Sequence, residues 1–138
     1  MSMESNKDLV RAYFVAFRDR DATWWDRFIA PDFVRHDPGL DFEVRGPAGV
    51  AKLAEGLHGG LSDIDMRIDE VIAEGDHVLA RLRFQGRHTG EFQGVPATGK
   101  AVDIAVMDFF HVAGGRLAEH WALMDNLTML KQIGAVDA

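Results

Sequence analysis

The sequence predicts an α+β fold: a curved antiparallel sheet with helices packed on one face around an apolar pocket. Two observations carry this. Apolar residues recur at helical spacing between Leu9 and Leu57, then switch to strict alternation from Ile64 onward. The order is also telling, since helices with one short strand come first and consecutive strands follow, a pattern that segregates helices onto one side of a meandering sheet. A strongly curved sheet closed by helices is cone-shaped and leaves a deep funnel, the usual seat of a ligand.

The elements follow in order. A first helix is expected from Ser5, where Ser5 and Asp8 resemble a capping box. Leu9, Val10, Tyr13, Phe14 and Phe17 give it one apolar face, and the run Arg18–Asp21 ends it. Asp21 can cap a shorter helix carrying Trp24, Trp25 and Phe28, stopped by Pro31. Residues 32–37 read as a short strand broken by Pro38-Gly39. Gly46-Pro47 opens a third helix with Val50, Leu53, Ala54 and Leu57 inward, and Gly59-Gly60 closes it. Strands are expected at 63–69, 78–84, 101–112 and 116–125. Glu74-Gly75-Asp76 and Ala113-Gly114-Gly115 form turns, and Leu127, Leu130 and Ile133 mark a last short helix.

The chain has 138 residues, 47% hydrophobic and 27% charged, which fits one domain spanning 1–138. A net charge of −7 repels phosphate backbones and anionic lipid, so no nucleic acid and no membrane partner is expected. There is no cysteine, which removes disulfides and thiolate chemistry. The polar start MSMESNKDLV has no apolar signal core, so a cytoplasmic location is expected. Val78, Leu79, Ala80 and Leu82 run together, as do Ile104, Ala105, Val106 and Met107, which implies burial on both faces of the sheet and a homodimer through it.

Several local patterns point further. They are Gly86-Arg-His-Thr-Gly90, Glu91-Phe-Gln-Gly94, Pro96-Ala-Thr-Gly-Lys100, Gly115-Arg-Leu-Ala-Glu-His-Trp121, Asp125 and Gln132-Ile-Gly134, with weaker support from His36-Asp37-Pro38 and Gly46-Pro-Ala-Gly49. In these the chain resembles the SnoaL-like polyketide cyclases (ester cyclases among them), within the cystatin-like fold group of nuclear transport factor 2 and ketosteroid isomerase. The resemblance implies that fold, together with cofactor-free acid–base chemistry on a small hydrophobic organic substrate.

The candidate site residues take their roles from it. Asp125 follows the apolar run Trp121–Met124. Delivered into a pocket, its carboxyl rises in pKa and serves as general acid/base, as the matching Asp does in the cyclases. The other reading of Asp125 is an N-cap for the last helix. The resemblance pairs it with His111. The two share a face if the Ala113–Gly115 hairpin has a three-residue loop or a glycine bulge, and lie on opposite faces if the loop is Gly114-Gly115 alone. Of His36 and Asp37 only one can point inward; His36 is preferred, Asp37 being the alternative by likeness to the isomerases. Tyr13 and Asp108 fall where the isomerases keep oxyanion donors, chemistry well described for that enzyme. His88, Trp121 and Phe109 complete the expected substrate contacts. No HExxH or related spacing exists, so no metal is expected, and no nucleotide-binding motif is present.

Three functions remain open at this stage: an aldol or ester cyclase, an isomerase or epoxide hydrolase in the same pocket, and a non-catalytic binding module.

Overall fold

The structure, a computed structural model, describes residues 2–137. Helix α1 (Met3–Asp19) starts earlier than expected. Ser2 is its N-cap, and the capping box is reciprocal between Ser2 and Ser5 rather than Ser5 and Asp8. The buried stripe is Val10, Tyr13, Phe14 and Phe17. Helix α2 (Ala22–Phe28) is capped by Asp21, whose carboxylate accepts from the Trp24 amide.

Strand β1 (Ile29–His36) follows without a loop and contains Pro31, so that proline does not separate helix from strand. Its pairing register slips between Ile29 and Val34, which is where a residue with no N–H can be tolerated. Two residues, Val44–Arg45, form β2, which sequence reading missed. Helix α3 (Gly46–Gly60) carries Pro47 in its first turn. Then come β3 (Leu61–Glu74), β4 (His77–His88), β5 (Ala101–Ala113), β6 (Arg116–Met124) and α4 (Asn126–Gln132).

The strands make one curved, open sheet in the order β2-β1-β6-β5-β4-β3. The fold is α+β as expected, with one correction: β1 runs parallel to β6, while the other neighbours are antiparallel. The long strands alternate cleanly. Val102, Ile104, Val106, Asp108, Phe110 and Val112 of β5 are buried beneath the helices, and Met107 and Phe109 between them are exposed.

The β5–β6 hairpin decides which side chains reach the interior. Gly114 and Gly115 both have positive φ (58° and 75°), the tight two-residue turn that glycine permits. Val112 opposes Leu117, but His111 opposes Glu119, so Ala118 is an extra residue. Instead of the three-residue loop or glycine bulge expected at this turn, a bulge stands on Ala118, the third residue of β6. Its effect is to invert the count: after Leu117 the inward residues of β6 are His120 and Ala122, not Glu119, Trp121 and Leu123.

Candidate active site

Five polar side chains converge under α1 on the inner face of the sheet. Tyr13 comes from α1, Arg35 and Asp37 from the end of β1, Asp108 from β5 and His120 from β6. All are buried, Asp108 with 4% of its surface exposed. Arg35 donates from Nη2 (2.8 Å) and Nε (3.2 Å) to one carboxylate oxygen of Asp37. The other oxygen accepts from the Gly39 amide at 2.9 Å, so the Asp37 carboxylate is fully engaged.

Asp108 is not. The Nε2 of His120 lies 3.0 Å from Oδ1 of Asp108, but at an angle that leaves neither atom in a formed hydrogen bond. The Tyr13 hydroxyl and Nδ1 of His120 also lack a protein partner. Buried polar atoms are nearly always paired, so these four have hydrogen-bonding capacity left for water or a ligand. The His120 ring is fixed by stacking on Phe110 (4.0 Å between centroids) and by the edge of Tyr13.

The electrostatics fit that picture. Burial pushes the Tyr13 phenol up to about 12, with the Arg35 charge opposing and the Asp108 charge reinforcing the rise. Burial also holds His120 below its ordinary value of 6.5, against the pull of Asp108, so the ring is neutral near pH 7. Arg35 stays a cation in spite of burial, because Tyr13, Asp108 and Asp37 surround it.

Two cavities lie beside this cluster. The outer one, about 670 Å³, is lined by Asp37, Phe42, Lys52, Leu53, Phe92 and Met124 among others. A small inner recess reaches Tyr13, Arg35 and Asp108, and Leu57 and Met124 border both.

The sequence-derived residues divide sharply. Tyr13 and Asp108 stand together in the recess. Asp37 points inward and His36 outward, the reverse of the preference: Phe33, Arg35 and Asp37 share the buried face, while His36 bonds Glu119 at 2.6 Å and stacks on Trp121. His111 and Asp125 are not in the pocket. His111 lies on the outer face, with Nε2 2.9 Å from Asp76. Asp125 is exposed and is the N-cap of α4, accepting from the Thr128 amide and hydroxyl, bonds that lower its pKa instead of raising it. The expected burial and raised pKa of Asp125 are therefore corrected to the capping reading.

Trp121 and Phe109 also face outward, at 38% and 39% exposure. His88 is fully buried, but its Nδ1 pairs with Thr98 at 2.9 Å and it lines neither cavity. Sequence reading missed Arg35 and His120. The alternation Phe33–Arg35–Asp37 was a usable signal for the first; the bulge at Ala118 hid the second.

Comparison with known proteins agrees with this architecture. The model of the SnoaL-like polyketide cyclases matches residues 7–133. The chain belongs to that family. It is 28% identical over 109 residues to aklanonic acid methyl ester cyclase DnrD of Streptomyces peucetius, covering 78% of this chain and 72% of DnrD. The solved structure of TsrD from Streptomyces laurentii superposes with a TM-score of 0.86 at 27% identity, covering 99% of both chains. IdmH from Streptomyces antibioticus gives 0.84 at 31% identity, over 94% of this chain and 98% of that one. Among the described residues of this family member, no helix is long and apolar enough to cross a membrane.

Proposed function

We propose that this SnoaL-family protein is a cofactor-free cyclase that closes a carbon–carbon bond within a hydrophobic polyketide-type substrate, with Asp108 as the general acid/base. The observation that carries the reading is the unpartnered Oδ1 of Asp108, which lines the small recess together with the unpartnered Tyr13 hydroxyl. The body of the substrate occupies the outer cavity and its reacting end enters the recess. Asp108 takes the proton from a carbon next to a carbonyl. The electron pair moves onto that carbonyl oxygen, where the Tyr13 hydroxyl and the Arg35 cation stabilise the enolate. The enolate carbon attacks a second carbonyl of the same molecule, and protonated Asp108 returns the proton to the resulting alkoxide. Neutral His120, its Nε2 3.0 Å from Oδ1 of Asp108, borders the base without a formed hydrogen bond to it. Asp37 is a poor base here because Arg35 and the Gly39 amide occupy it.

An isomerase is the second reading, since Tyr13, Asp37 and Asp108 converge as the likeness to ketosteroid isomerase implies. It requires Asp37 to leave Arg35 and take a proton itself. The trial substrate for the cyclase reading is aklanonic acid methyl ester, after the name of the relative, with product followed by chromatography. Asp108→Asn should lower kcat by about 10²–10⁴ and Tyr13→Phe should also slow turnover, whereas Asp125→Asn stays near wild type. An active Asp108→Asn variant, or loss with Asp125→Asn alone, rejects the assignment. Tight binding with no turnover in any variant favours the binding-module reading.

We infer that a second copy covers the outer sheet face, because Met107, Phe109, Trp121 and Leu123 form adjacent cross-strand pairs there and are apolar and exposed.

A further inference from the structure

The outer face carries a second cluster of chemical groups, remote from the recess and unused by the proposed reaction. Asp76 belongs to the β3–β4 turn, His77 is the first residue of β4, and His111 stands directly opposite His77 on β5. The carboxylate of Asp76 reaches both rings, Oδ1 at 3.0 Å from Nδ1 of His77 and Oδ2 at 2.9 Å from Nε2 of His111. The two rings stack 4.9 Å apart, and His77 also stacks on Phe109 at 5.2 Å.

We propose that Asp76, His77 and His111 form a binding site for one divalent transition-metal ion of the zinc, nickel or copper class. Three ligand atoms, one from each residue, already lie within 4.8 Å of one another. Tetrahedral zinc with bonds of about 2.0–2.1 Å places its ligand atoms roughly 3.3 Å apart, so the carboxylate contacts open by a few tenths of an ångström while the two ring nitrogens turn out of their stack and close from within 4.8 Å. Two imidazoles with one carboxylate select borderline metals over magnesium or calcium, which prefer oxygen ligands.

The frame that holds the ligands is fixed before the ion arrives. His77 and His111 are neighbours in the β4–β5 ladder, and the Val112 amide donates to the Asp76 carbonyl at 2.9 Å, tying the turn to β5. What remains is rotation of three partly exposed side chains. No motif spacing in the sequence announces the site, because sheet register and not chain proximity brings His111 to His77. Bound metal would clamp the β3–β4 turn to β4 and β5 at the edge of the apolar outer face, leaving its further coordination positions to water.

Titration of metal-stripped protein with zinc chloride, read by calorimetry near neutral pH, tests this. One ion should bind per chain. His77→Ala and His111→Ala should each weaken binding about tenfold or more, while His36→Ala, which removes another histidine from the same face, leaves it unchanged. Circular dichroism shows whether the variants fold. Addition of cobalt(II) should give a visible absorption band in wild type that is lost in both variants. Absence of saturable uptake by the folded wild type, or zinc affinity unaltered in folded His77→Ala and His111→Ala, overturns the proposal.

Discussion

His120 shows how one buried side chain can make the protein sensitive to acid. Burial depresses its folded pKa below the ordinary 6.5, so the unfolded chain takes up the proton first as pH falls. The neutral ring therefore contributes fully above the unfolded value. Its contribution is lost as pH drops from about 6.5 toward the lower folded value. Melting temperatures measured from about pH 8 down to about pH 5 should fall more steeply in wild type than in His120→Gln, which cannot titrate there. Parallel curves would mean that His120 does not couple folding to protons. Asp125 is the opposite case. It is an acid made stronger by hydrogen bonds at the surface, and its work is to start a helix.

At the scale of elements, the glycine-rich segment after β4 has a steric reason. The amides of Thr89 and Gly90 both donate to the Gly60 carbonyl, drawing this segment against the end of α3. A Cβ on Gly90 would collide with the Gly59 carbonyl oxygen, a backbone atom that cannot swing aside. Gly59 itself has open space around its α-carbon. Gly90→Ala should thus cost about 1–3 kcal/mol of stability, while Gly59→Ala should be neutral or slightly stabilising. Urea unfolding of the two variants checks this, and equal midpoints would show that the close approach does not constrain Gly90.

Element boundaries were largely readable because caps and turns are local: Asp21, Pro47 and Gly114-Gly115 act where the sequence puts them. The site was readable only in part. Tyr13 and Asp108 sit on a helix and a strand whose periodicity is unbroken. Everything after Leu117 depended on Ala118, whose extra place in the strand flips the inward set from Trp121 to His120. Alanine carries no signal for a bulge. The parallel β1–β6 pair was also invisible, since it joins distant segments with no turn to mark them.

For the whole molecule, the outer face is the open question of assembly. Leu123 is 62% exposed and Met107, its cross-strand partner, 46%. A symmetric dimer through this face should bury at least ~1,000 Å² in total. Light scattering at micromolar concentration should then report twice the 15.3 kDa chain mass, with Leu123→Glu shifting the mass toward that of one chain. A wild-type mass of one chain under those conditions contradicts the dimer.

The parallel pairing of β1 with β6 also sets the order in which the molecule can come into being. Tyr13, Arg35 and Asp37 emerge from the ribosome early, and Asp108 and His120 near the end of synthesis. The ladder that unites them spans from Ile29–His36 to Leu117–Trp121. Closing so long a loop costs chain entropy before any contact repays it, so this seam forms after the local hairpins β3–β4 and β4–β5 have zipped. The pocket is consequently a property of the finished chain only. A nascent or truncated protein that stops short of β6 holds Arg35, Asp37 and Asp108 without the His120 imidazole, and β1 without its partner strand β6. Such a species is a natural client for chaperones, and a substrate-like ligand, by binding only the completed seam, would act as a folding aid as well as a reactant.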